Sequence, residues 1–183
     1  MSVVTFLFTD IEGSTRRWEA DPDAMRTALE THNRVLRDTV EANDGQVFNY
    51  TGDGMCAVFA SPRSAVDSAV AAQRALELPV RIGIATGEAE LRGGDYFGTV
   101  LNRTARVMAS GHGGQILLDG ATAGLLSGVD LLPLGPKRLR DIARTVELFQ
   151  VRAPGSAFRV PTCEDSRPDA RQSQTPGDEL RRP

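Results

Sequence analysis

The chain has 183 residues, 40% of them hydrophobic and 25% charged, with a formal net charge of −3. That composition supports one core and a tail rather than several domains, and it excludes the basic footprint of a nucleic-acid-binding protein. Two cysteines, Cys56 and Cys163, are too few for a disulfide framework and no apolar run reaches membrane length, which together predict a cytoplasmic protein that does not bind a membrane.

Val3 to Thr9 is β-rich and ends on Asp10, so a stiff strand is predicted to hold a carboxylate at a sheet edge. The segment after Asp10 to about Ala20 reads as helix, and Asp21-Pro22 restarts one with an N-cap and a proline at the first helical position. Met25, Leu29, His32, Val35 or Leu36, and Val40 then recur at helical spacing until Asn43-Asp44-Gly45 ends the run. Gln46 to Thr51 and Met55 to Ala60 form a predicted hairpin around Gly52-Asp53-Gly54. Ser61-Pro62 caps a second helix, whose Ala65, Val66, Ala69, Val70, Ala72 and Leu76 make a small-residue face for close packing on a sheet. Val80 to Glu88 is a further strand, Thr99 to Ser110 a helix, Gly114 to Leu118 a strand, Ala121 to Leu126 a short helix and Val146 to Val151 a last strand.

Strand, helix, hairpin, helix, strand is the order of a ferredoxin-like βαββαβ unit, an α+β fold with its helices on one face of an antiparallel sheet. From Ala153 onward Pro, Arg, Asp, Ser and Gln prevail with little to bury, so 1–152 is read as the folded domain and 153–183 as a mobile tail.

Asp10 and Asp53 carry the chemistry. Each closes an apolar run, and if the two strands are neighbours both carboxylates meet at one point. Hard oxygen ligands with open positions suit Mg²⁺ or Mn²⁺, which complete their shells with water and substrate phosphates. The competing reading makes Asp53 a turn aspartate and Asp10 a helix N-cap for Glu12-Gly13-Ser14. Further on, Asn102 and Arg106 lie four apart on a predicted helix and share one face beside an apolar stripe of Leu101, Ala105 and Met108. The alternative there is a solvated helix face with Arg103 and Arg106 exposed.

Phe8-Thr9-Asp10-Ile11-Glu12-Gly13-Ser14-Thr15, Thr51-Gly52-Asp53-Gly54 and the block from Gly94 to Arg106 follow one another in the order found in the class III nucleotidyl cyclases, which the chain resembles from Val3 to Val151. The resemblance implies the cyclase fold, a ferredoxin-like core with additional C-terminal elements. It implies that ATP is converted to 3′,5′-cyclic AMP and pyrophosphate with two Mg²⁺ or Mn²⁺ ions per site, roughly 3.5 to 4 Å apart. Asp10, the Ile11 carbonyl and Asp53 would hold the metals. Asn102 would orient the ribose and Arg106 would stabilise the transition state. Asn49 and Asp95 take the positions that read the base, while Lys137, Arg138 and Arg140 either bind the β and γ phosphates or form a solvated basic loop. In the family the sites are shared, with metals on one subunit and base-reading and transition-state residues on the other, so a homodimer carries two sites.

The base pocket departs from the family pattern. Adenylyl cyclases pair a lysine, four residues before the second metal aspartate, with an acid in the third block; here the acid is Asp95 but the lysine position is Asn49. An aspartate accepts the exocyclic N–H of adenine, whereas guanine presents an oxygen, and a guanylyl cyclase would typically show glutamate at 49 and a small residue at 95. ATP is therefore the expected substrate. A neutral hydrogen bond in place of a charge-assisted one costs roughly 1 to 2 kcal/mol of discrimination. The competing reading from another class is a degenerate cyclase-like domain that binds nucleotide or a partner cyclase and regulates without catalysing; Asn49 is its support. His32 reads as a packed histidine, His112 as part of a turn and Trp18 as a packing anchor. Gly93-Gly94-Asp95 resembles a diguanylate cyclase signature that Tyr96-Phe97 then breaks.

Overall fold

In a computed structural model, residues 1–152 are described; the expected tail at 153–183 lies outside the described residues. Strand β1 (Ser2–Ile11) sits inside the sheet, and its alternation sends Leu7 and Ile11 to one face and Phe6 and Phe8 to the other. Gly13, at φ 70°, turns the chain into α1 (Ser14–Ala20), which has no side-chain cap, so Asp10 is not a helix N-cap. Asp21 does cap α2 (Pro22–Glu41), accepting from the Ala24 N–H at 3.0 Å with Pro22 at the first turn. Met25, His32, Leu36 and Val40 form its buried stripe.

The hairpin of β2 (Gln46–Thr51) and β3 (Gly54–Phe59) turns through Gly52 at φ 67°. Ser61 then caps α3 (Pro62–Ala75). β4 (Val80–Arg92) runs past its expected end at Glu88 and turns through Gly93-Gly94, both at positive φ, into the short β5 (Asp95–Phe97). α4 (Thr99–Ala109), β6 (Ile116–Asp119), α5 (Gly120–Ala123), β7 (Leu131–Lys137) and β8 (Val146–Val151) complete the described chain.

Strand order is β2-β3-β1-β4-β6-β8-β7, with β5 paired to β4 at the side. The first four strands are the ferredoxin-like core, and β6, β8 and β7 extend it. Neighbours are antiparallel except for β4 and β6, which run parallel. The helices α2 and α3 bury one face against Leu7, Met55, Phe59, Ile82 and Ile84, whereas α4 packs on the other face with Phe6, Ala85 and Ala89.

Glycine fixes how closely α4 approaches. A Cβ on Gly83 would lie 2.4 Å from the Met108 nitrogen, and one on Gly87 would lie 3.1 Å from the Val100 Cβ. That approach turns Val100, Thr104 and Val107 inward, in place of the expected stripe of Leu101, Ala105 and Met108, which are only partly buried. Among the described residues no helix is long and apolar enough to cross a membrane.

Candidate active site

Register brings the two aspartates to one sheet edge. Thr9 pairs with Met55 across β1 and β3, so Asp10 follows at the level of Gly54, one residue from Asp53. The Thr9 hydroxyl accepts the Met55 N–H at 3.0 Å and secures that end of the ladder. Beyond it, the Glu12 N–H donates to the Pro79 carbonyl at 2.8 Å. The Glu12 carboxylate accepts from the Gly113 N–H at 3.0 Å and meets His112 Nδ1 at 3.2 Å, contacts that hold its pKa below the usual carboxylate value. Asp10 and Ile11 are therefore held from both sides.

The two carboxylates differ in their partners. Asp10 Oδ2 accepts from Arg81 Nε at 2.8 Å and from Nη2 at 2.5 Å. Arg81 is its cross-strand neighbour on β4. Asp53 Oδ2 is buried and makes no hydrogen bond. An Asp fixing its own turn would use that oxygen; this one is left open at considerable cost unless a cation binds it. The donor set of two carboxylates and the Ile11 carbonyl fits a hard divalent cation. Among the described residues no group of three or more His, Cys, Asp or Glu side chains is gathered for a metal, so water and phosphate oxygens would supply the other ligands.

α4, on the face of the sheet that carries Phe6 and Phe8, is locked by Arg103, which the alternative reading left solvated. Arg103 Nε donates to the buried Asp119 at 2.7 Å and Nη2 to the Thr86 carbonyl at 2.8 Å. Asp119 also accepts from the Thr122 N–H and hydroxyl, and the Thr122, Thr86 and Thr5 hydroxyls are linked at 3.0 Å. This network fixes the helix's rotation. Asn102 is left exposed, and Arg106 is partly buried with Nη2 donating to Asp141 at 2.5 Å. The solvated face with both arginines free is thus corrected. Among the described residues no hydrogen bond or ion pair within the chain joins Asn102 or Arg106 to Asp10 or Asp53.

Asn49 and Asp95 are both exposed. Their chain neighbours Phe48 and Tyr96 stack edge-on with centroids 5.1 Å apart, in one aromatic cluster with Phe6 and Phe8. Phe48 lies at a register shift in the β2–β3 ladder. Lys137, Arg138 and Arg140 are exposed around the buried Leu139, and Arg140 Nε lies 3.5 Å from Asp141. Sequence reasoning missed Arg81 and Asp141. Only the β1–β4 register identifies the first, and only tertiary contact the second.

His32, on α2 behind the hairpin, is 2% exposed and neither ring nitrogen has a partner. Burial lowers its pKa to about 4, while the nearby Asp53 carboxylate pulls the other way. Unfolded, the ring takes a proton below about pH 6.5; folded, it stays neutral down to about 4. Stability is therefore complete above pH 6.5 and falls with pH. In chelator, urea midpoints should report a loss of about 2 kcal/mol between pH 6.5 and 5, and His32→Gln should flatten the slope. An unchanged slope in that variant would contradict the assignment.

The family profile that matches residues 1–78 is described as the adenylate and guanylate cyclase catalytic domain. A solved adenylate cyclase of Trypanosoma brucei, in its monomeric state, superposes with a TM-score of 0.78 at 27% identity, covering 86% of this chain and 93% of that one. This is a class III cyclase catalytic domain. The cyclase domain is also 31% identical to a receptor-type adenylate cyclase of Trypanosoma equiperdum, over 85% of this chain and 45% of that protein. An uncharacterized protein of Mycobacterium tuberculosis is 34% identical over 167 residues, 86% of this chain and 59% of the relative. The chain thus spans about half the length of the curated relatives it matches.

Proposed function

We propose that this cyclase domain is an adenylyl cyclase, turning ATP into 3′,5′-cyclic AMP and pyrophosphate at two sites shared between the subunits of a homodimer. The observation that carries the reading is Asp53, half-buried with its Oδ2 fully covered and without a partner, one residue from the Gly54 that lies level with Asp10. Asp10, Asp53 and the Ile11 carbonyl would hold Mg²⁺ or Mn²⁺, which when bound would supply charge to lower the pKa of the attacking 3′-hydroxyl and to neutralise the leaving oxygens.

The chain's own residues do the rest. Arg106 supplies a guanidinium to the charge that builds on the α-phosphate, and Asn102, one turn away, orients the ribose oxygen. Among the described residues neither has a hydrogen bond or ion pair to Asp10 or Asp53, which supports their facing a partner's aspartates. Asp95 accepts the adenine exocyclic N–H and Asn49 offers an amide to the base. Arg81 keeps a second guanidinium beside the place where a triphosphate lies, and the exposed Lys137, Arg138 and Arg140 are the candidates for its outer phosphates.

The purified chain with Mn²⁺ should make cyclic AMP from ATP and use GTP much less; bound nucleotide without cyclic product would favour the regulatory alternative. Asn49 tests the base pocket. Because the position is exposed, a lysine there has room and keeps its hydration, so Asn49→Lys should raise kcat/KM for ATP about tenfold and widen the preference over GTP. Asn49→Ala is the control. If both variants match the wild type in rate and preference, this residue does not read the base.

A further inference from the structure

Arg106 is partly buried on α4, and among the described residues its Nε is covered and has no partner. The outer part of the guanidinium is held by the β7–β8 loop, where Asp141 Oδ2 accepts from Nη2 at 2.5 Å. A guanidinium has five N–H groups, so this pair orients the fork without exhausting it as a donor. Asp141 is itself set by the chain around it. The Ile142 N–H donates to the Leu139 carbonyl at 3.2 Å, closing a turn in which Asp141 is the third residue. Its φ is 59°, in the left-handed region that glycine or asparagine usually supplies at that position. Beneath the turn, Leu139 is buried in one cluster with Val107, Leu117 and Leu148, and Ile142 packs against it. Val107 directly follows Arg106, so both members of the pair stand on the same packed base. A latch that must release Arg106 would need an element free to leave; this turn is fastened to α4 instead.

We propose that Asp141 is a positioning residue for Arg106, holding Nη2 so that the guanidinium keeps the plane in which it meets the α-phosphate. This rests on Arg106 being the transition-state donor. A donor aimed beforehand needs no reorganisation as charge develops, and a misplacement of about 1 Å can cost about a hundredfold in rate. A backbone outlier maintained by its surroundings beside a reactive side chain fits that task. With Asp141 56% exposed, the pair adds little to stability, so its effect falls on the rate.

Steady-state kinetics on the full chain, beside thermal melting, test the proposal. Asp141→Gly removes the carboxylate and keeps the positive φ without strain. It should lower kcat for cyclic AMP formation from Mn²⁺-ATP about tenfold to a hundredfold, with KM and melting temperature unchanged. Asp141→Asn keeps an acceptor oxygen and tolerates the same backbone, so it should recover part of the rate; it also stands in if glycine loosens the turn. The deciding variant is the double one. Arg106→Ala with Asp141→Gly should be no slower than Arg106→Ala alone, because the carboxylate acts only through the guanidinium. Losses that multiply in the double variant, a raised KM with kcat intact, or a kcat that holds or rises in Asp141→Gly overturn the proposal alone. An unchanged kcat in Arg106→Ala instead removes the reading beneath it.

Discussion

Replacing Asp53 by alanine is expected to lower cyclic AMP formation a thousandfold or more while leaving the fold intact. The rate loss follows from the lost metal charge, which contributes about 4 kcal/mol or more to the transition state. Stability should respond in the opposite sense to an ordinary buried substitution. The Asp53 oxygen has no partner, so its removal relieves an unpaired buried acceptor and the metal-free melting temperature should hold or rise. What should vanish is the stabilisation that added Mn²⁺ confers, because an ion that binds only the folded chain raises its melting temperature by mass action. Calorimetric scans with and without Mn²⁺, run beside the activity assay, check both halves. A variant that keeps its activity, or loses it by unfolding, would contradict the ligand role.

Arg106→Ala should lower kcat about a hundredfold or more with little change in KM, as expected for a donor used in the transition state rather than in binding. Its in-chain partner gives a useful control. The Arg106–Asp141 pair is half-exposed on the Asp141 side, and such pairs contribute only about 0 to 1 kcal/mol, so the melting temperature should barely move. Arg106→Lys should not restore the rate, since an ammonium cannot reproduce the planar fork. Steady-state kinetics on the three proteins decide this; a KM effect with kcat intact would place Arg106 in ground-state binding.

The core was legible where local chemistry decides. The caps Asp21 and Ser61, the stripe from Met25 to Val40 and the Gly52-Asp53-Gly54 turn all follow from short-range preferences, and the structure has each of them. Two strands escaped. β7 carries Pro133 and Pro136, which discourage a strand reading but are tolerated at a sheet edge, where an absent N–H goes unmissed. β5 is three residues long and exists because β4 continues to Arg92 and folds back. The rotation of α4 also lay beyond periodicity. Gly83, on another element, lets the helix sink until Val100, Thr104 and Val107 point inward. In the site, the aspartates are motif residues and could be found by eye, whereas Arg81 and Asp141 matter through pairings that register and loop closure create.

The shared-site cyclase is tested most directly by mixing two inactive chains. Asp53→Ala keeps an intact Arg106, and Arg106→Ala keeps an intact metal edge, so a heterodimer has one whole site and one doubly damaged one. With free exchange, half the dimers are mixed and about a quarter of the wild-type rate of cyclic AMP formation should return. Chains that exchange, as followed by mass, yet stay inactive would contradict a site built from two subunits.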